Sequence, residues 1–136
     1  MILGIGTDVC AIEHIASAIE RQGERFLGRV FTLAERDAAQ SGPNAMVYFA
    51  RRFAAKEACA KALGTGVTAR VRWTDIEILG QRSSQPILTL TGGALRRAKR
   101  LAPKGAVCIA HVSLSHDADM AIAFVVLEGK QYRKSC

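Results

Sequence analysis

Three charged residues stand where their charge has to be explained. In the stretch Arg52-Phe-Ala-Ala-Lys56-Glu57-Ala-Cys-Ala-Lys61-Ala-Leu-Gly64-Thr-Gly66, a helical reading places Glu57 and Lys61 four residues apart on one face. On a solvated surface such a pair is worth only about 0.3–0.5 kcal/mol. The neighbours Phe53, Ala54, Ala58, Ala60 and Leu63 instead suggest a helix packed against other elements, where a charge needs a partner or a bound ion. The other carboxylate is Asp8, at the end of the first apolar run, where an aspartate ordinarily caps the helix that follows. If that strand lies beside the long helix, Asp8 and Glu57 converge as two hard oxygen ligands. An octahedral Mg²⁺ between them keeps positions for water and phosphate oxygen, and Lys61 faces the same phosphate.

Other short motifs are weaker. Gly64-Thr65-Gly66 follows a helix instead of preceding one, so it is no Walker-type loop. It reads as a helix cap whose glycines also let backbone N–H groups approach a phosphate. Gly4-x-Gly6 lacks the third glycine of a dinucleotide fingerprint, since position 9 is Val. Ser113-Leu-Ser115-His116-Asp117 invites a hydrolase triad, but adjacent strand residues point to opposite faces. His116 at a strand end is either solvated or a donor to a phosphate oxygen.

The elements that must position these residues follow from periodicity and punctuation. Residues 2–9 read as a short buried strand ending in a polar corner at Thr7-Asp8. Ile12, Ile15, Ile19 and Phe26 recur at helical spacing opposite Glu20, Arg21, Glu24 and Arg25, with Gly23 as a break or bend. Thr32-Leu-Ala-Glu35 has the capping-box pattern and starts a helix that ends near Ser41-Gly42. Pro43 suits the first turn of the next helix, over 44–63, which Gly64 stops. Strands are expected at 75–79 and 87–90, joined by a polar Gly/Gln/Ser connection. A basic helix follows at 94–101, then strands at 107–115 and 120–128 around the turn 116–119. Helices crowd the first half and strands the second, which favours α+β over a βαβ alternation.

A chain of 136 residues makes one compact domain, here 1–128, with 129–136 as a basic tail. The net charge of +7 suits an anionic partner, while only 6% aromatic residues counts against a stacking surface for single-stranded nucleic acid. Cys10, Cys59, Cys108 and Cys136 form no Cys-x-x-Cys pair; the first three read as small apolar side chains and Cys136 as part of the tail. The N-terminus does not read as a secretory signal and no apolar run reaches membrane-spanning length, so the expected compartment is the cytoplasm.

Taken together, Gly4-Ile-Gly-Thr-Asp8-Val, Glu24-Arg-Phe-Leu, Val30-Phe-Thr-x-x-Glu35, the long-helix motif from Arg52 to Gly66, Asp75-Ile-Glu77, Pro86 and Ser113-Leu-Ser-His116-Asp117 stand in the order of a known family. The chain resembles the holo-[acyl-carrier-protein] synthases, the small 4′-phosphopantetheinyl transferases of bacterial fatty-acid synthesis, over nearly its whole length. The resemblance implies a long central helix packed on an antiparallel sheet, and Mg²⁺-dependent transfer of phosphopantetheine from coenzyme A to a serine of apo acyl carrier protein. It implies Asp8 and Glu57 as ligands of Mg²⁺, with Mn²⁺ as a substitute, and Lys61 balancing charge beside the catalytic Glu57. The serine proton goes to a metal-bound water or to a carboxylate such as Glu57 or Asp117. Coenzyme A would meet Arg52, Lys61, Gly64, Thr65, Gly66, Pro86, Ser115 and His116. The acidic carrier would dock on His14, Arg21, Arg25 and Phe26, His14 being a departure from the family's usual arginine. The family further implies a homotrimer with shared active sites, and no nucleic-acid or membrane partner. Two rival readings are a basic nucleic-acid-binding module built on Arg96, Arg97, Lys99 and Arg100, and a carrier-binding subunit without catalysis. The first leaves Asp8, Glu57 and Lys61 without a purpose.

Overall fold

The computed structural model describes residues 1–40, 42, 44–80 and 85–132; Ser41, Pro43, the connection at 81–84 and the tail residues 133–136, with Cys136, lie outside the described residues. The chain begins with strand β1 (Ile2–Ala11) and turns directly into helix α1 (Ile12–Gln22). Gly23, at φ +54°, ends α1 by donating its N–H to the Ile19 carbonyl at 2.7 Å, and its own carbonyl accepts the first N–H groups of helix α2 (Glu24–Val30). Helix α3 (Leu33–Gln40) opens on the expected capping box. The Thr32 N–H donates to Glu35 Oε1 at 2.9 Å and the Glu35 N–H to Thr32 Oγ1 at 3.2 Å.

Helix α4 (Ala45–Ala62) is the central element, and a 3₁₀ turn at Trp73–Asp75 leads to strands β2 (Ile76–Leu79) and β3 (Ile87–Leu90). Helix α5 (Gly92–Leu101) and the hairpin of β4 (Ala106–Asp117) and β5 (Met120–Gln131) complete the chain. Strands β1, β5 and β4 form one antiparallel sheet in that order, while β2 and β3 form a second antiparallel pair. This is the expected α+β arrangement of a long helix on an antiparallel sheet. No helix among the described residues is long and apolar enough to cross a membrane.

The strand residues alternate as a half-buried sheet requires. On β5, Ala121, Ala123, Val125 and Leu127 are buried beneath α4, whereas Ile122 and Phe124 lie on the outer face. The other side of α4 packs an aromatic cluster in which Phe31 meets Phe49 at 4.7 Å and Phe53 stacks on Trp73 at 4.8 Å between ring centres. Several boundaries differ from the sequence reading. Strand β4 runs on through His116 and Asp117, because an exposed hairpin end tolerates polar side chains and only Ala118-Asp119 form the turn. Residues 129–131 belong to β5 and not to a tail, with the Gly129 N–H donating to the Met1 carbonyl at 2.7 Å. Helix α5 starts at Gly92, two residues early.

Position 56 turns inward. Lys56 and Glu35 are both fully buried and form an ion pair at 2.8 Å. The ammonium also donates to the carbonyls of Trp73, at 3.0 Å, and Ile76, while Glu35 Oε2 accepts the Ile78 N–H at 2.9 Å. Burial pulls the Lys56 ammonium below the usual lysine range and the Glu35 charge opposes that pull. Every donor of the ammonium is occupied, so the pair joins α3, α4, the 3₁₀ turn and β2 without leaving an orphan charge. Lys56→Ala leaves the Glu35 carboxylate buried without its counter-charge and is expected to cost about 3–5 kcal/mol. Urea unfolding with an unchanged midpoint would contradict that role.

Candidate active site

The positions of the reactive groups are set by how closely β1 lies on α4. A Cβ built on Gly4 would sit 2.0 Å from the Ala62 carbonyl oxygen, and one on Gly6 would sit 1.8 Å from that of Ala58. The strand backbone therefore rests directly on the helix, and only glycine fits at either point. Asp8 continues the same alternating face two residues on, inside the strand instead of at its end. It does not cap α1, whose N-terminus has no side-chain cap. From α4, Lys61 reaches across: its Nζ lies 2.9 Å from Asp8 Oδ1 and donates to the Thr7 carbonyl at 3.1 Å.

Glu57 lies one helical turn before Lys61, and its charge is felt by the same group. Partial burial raises the Glu57 carboxyl above the usual range, the Asp8 charge raises it further, and Lys61 opposes both. Lys61 is itself raised by its hydrogen bond to Asp8 and by the Asp8 charge. The buried Cys10 thiol is pushed up to about 11, first by burial and then by Asp8 and Glu57. Two carboxylates thus concentrate negative potential at one partly exposed point with one ammonium against them. The all-oxygen donor chemistry fits a hard divalent cation such as Mg²⁺, whose remaining positions take water and phosphate.

The other residues expected at the site are dispersed over one chain. Arg52 lies on α4 under β2, with its guanidinium carbon 3.8 Å from the centre of the Tyr48 ring. His116 pairs with Ala121 on the inner face of the sheet, whereas Ser115 pairs with Ile122 on the outer face, so the two diverge. Pro86 stands half-buried just before β3. Gly64 and Gly66, at φ +79° and +65°, do cap α4, but the phosphate cradle expected of their N–H groups needs correction. The N–H of Gly64 donates to the Lys61 carbonyl at 2.9 Å, and those of Thr65 and Gly66 to the Ala60 carbonyl at 3.3 and 3.1 Å.

On the docking edge, His14, Arg21 and Arg25 are exposed. Phe26 is not: it is 5% exposed and packs against Phe31 and Phe53, as its helical spacing from Ile12, Ile15 and Ile19 on the apolar face requires. The sequence reading also misses Arg97, whose Nε donates to the Leu63 carbonyl at 2.8 Å and so finishes the end of α4 from another helix. Nothing local to Leu63 signals that partner, 34 residues away.

The model of the 4′-phosphopantetheinyl transferase superfamily matches residues 4–125. The holo-[acyl-carrier-protein] synthase of Methylorubrum populi is 51% identical over 132 residues, covering 94% of each chain, and that of Phenylobacterium zucineum is 48% identical over 128 residues, covering 94% of this chain and 93% of its own. Among solved structures, the holo-[acyl-carrier-protein] synthase of Neisseria meningitidis superposes with a TM-score of 0.82 at 33% identity, covering 94% of this chain and 99% of its own. The enzyme of Bacillus anthracis, solved in complex with CoA (3′,5′-ADP), gives 0.75 at 34% identity, covering 96% and 99%.

The coupling of the two carboxylates is measurable directly. In Asp8→Asn the Glu57 carboxyl loses a neighbouring negative charge and keeps Lys61, so it is expected to titrate at lower pH than in the wild type. Carboxyl ¹³C chemical shifts followed through a pH titration report it, and an unmoved Glu57 would mean that the two groups do not share a field.

Proposed function

We propose that this chain, which belongs to the 4′-phosphopantetheinyl transferase superfamily, acts as a holo-[acyl-carrier-protein] synthase: it moves the 4′-phosphopantetheine group of coenzyme A onto a serine hydroxyl of apo acyl carrier protein. The observation that carries the reading is the meeting of Asp8, from β1, with Glu57 and Lys61, from α4. In the reaction the serine oxygen forms a bond to the phosphorus that bears pantetheine. The bond from that phosphorus to the bridging oxygen breaks, and adenosine 3′,5′-bisphosphate leaves with the electron pair.

Asp8 and Glu57 would hold a divalent cation, Mg²⁺ with Mn²⁺ as a substitute, which would supply charge neutralisation for the diphosphate. Lys61 places a mobile ammonium beside that charge, suited to stabilising the leaving phosphate as negative charge develops. Glu57, or Asp117 at the hairpin, accepts the serine proton directly or through water. Gly64, Thr65 and Gly66 contribute a closely approachable turn in place of N–H donors. His14, Arg21 and Arg25 meet the acidic carrier, steering encounter and orientation more than adding affinity. Histidine at position 14 lacks the arginine fork, which weakens that contact.

Arg52, Pro86, Ser115 and His116 come to coenzyme A from a neighbouring subunit of a homotrimer. An apolar strip on the outer face of the sheet supports that arrangement. Val9 is 54% and Phe124 47% exposed, with Ile5 and Ile122 beside them, more apolar surface in one place than a monomer keeps in water without purpose. The reaction belongs to fatty-acid biosynthesis in the cytoplasm, where coenzyme A and carrier meet.

Incubation with coenzyme A, Mg²⁺ and apo acyl carrier protein is expected to add the mass of phosphopantetheine to the carrier. Removing Mg²⁺ with a chelator abolishes the gain, and Lys61→Ala slows it by a factor of about 100 to 1,000. A folded wild type that binds the carrier but never changes its mass would leave only the non-catalytic subunit.

A further inference from the structure

Past the C-terminal end of α4, the segment 65–72 and helix α5 wall a cleft of about 870 Å³. Arg70 and Arg72 line it from the segment, and Arg96, Arg97 and Arg100 from the helix, whose spacing keeps them on one side. The two walls are pressed together by glycines. A Cβ on Gly93 would sit 1.5 Å from the Arg70 carbonyl oxygen, and one on Gly92 2.7 Å from Asp75 Oδ1. Asp75 is the one carboxylate in the lining and is already engaged, accepting the Arg72 N–H at 3.1 Å and pairing with its guanidinium at 3.4 Å. Arg97 is held by the Leu63 carbonyl. Arg70, Arg96 and Arg100 are exposed and form no ion pair among the described residues.

Five guanidinium groups around one concavity with one committed carboxylate repel one another unless an anion joins them. Guanidinium forks match phosphate oxygens bidentately, and the volume lies in the range of about 300–1,000 Å³ typical of small-molecule sites. A nucleic-acid backbone would call for a stripe of charge along a surface, whereas these charges face inward from two walls. We propose that this cleft is a second anion site, separate from the Asp8–Glu57 pair, that takes a multiply phosphorylated small molecule. The site does not depend on the transferase reading, although Thr65 at its edge and Arg97 at the end of α4 join it to the helix that carries Glu57 and Lys61.

Titration calorimetry of the full chain with inorganic tripolyphosphate, without divalent metal and at physiological ionic strength, tests it. One site per chain is expected, retained in the Asp8→Asn/Glu57→Gln double variant and weakened about ten- to a hundredfold in Arg96→Gln/Arg100→Gln, whose transferase rate stays at the wild-type level. Arg70→Gln, on the opposite wall, shows the same direction of loss and serves if the helix variant does not fold. Absence of binding, or binding that disappears with Asp8 and Glu57 and survives loss of the arginines, overturns the proposal. A short DNA duplex bound through these arginines more tightly than tripolyphosphate overturns it in favour of a nucleic-acid surface.

Discussion

The contact between the backbones of β1 and α4 governs the geometry of the molecule. Side chains normally hold a strand and a helix well apart; here Gly4 and Gly6 remove them from the strand, and Ala58 and Ala62 provide only methyl groups on the helix. The gain is reach. At ordinary separation an ammonium on the helix would have to extend to meet a strand carboxylate, but Lys61 touches both Asp8 and the Thr7 carbonyl from a half-exposed position. The small residues of α4, buried nearly all round, are the other face of the same requirement.

Two ion pairs on α4 show how burial decides what a charge is for. Lys56 and Glu35 have no solvent, and every donor and both oxygens are matched, so that pair can only hold elements together. Asp8, Glu57 and Lys61 keep contact with solvent, Lys61 most of all, and two carboxylates stand against one ammonium, so that group is able to change partners. Adjacent positions 56 and 57 face different directions because each helical residue turns about 100° from the last. The inward pair therefore fixes the rotation of α4, and with it the direction in which Glu57 is presented.

Much of this was legible where the signal is local. The capping box at Thr32–Glu35, the break at Gly23, the stop at Gly64 and the alternation of β4 and β5 all appear as read, because each depends on residues within a turn or a strand of one another. Glu35 as the partner of Lys56 and of Ile78 was not legible, since those contacts span 21 and 43 residues, and nothing about a capping glutamate announces full burial. Phe26 misleads for a different reason: its place beside Arg25 suggests a docking edge, although its spacing from Ile12, Ile15 and Ile19 already marks the apolar face on which it is buried. The carboxylate pair could be inferred only conditionally, on the strand lying beside the helix. The glycines that make that approach possible resemble in sequence only an incomplete dinucleotide fingerprint.

Because Asp8, Glu57 and Lys61 ride on a strand and a helix that touch through bare main chain, their relative positions have almost no slack. Substitutions there disturb the scaffold and the chemistry at once. Variation in what the molecule meets must then come from exposed positions away from that contact, such as the arginines of α1 and α2. The rigid middle leaves diversification to the margins of the fold.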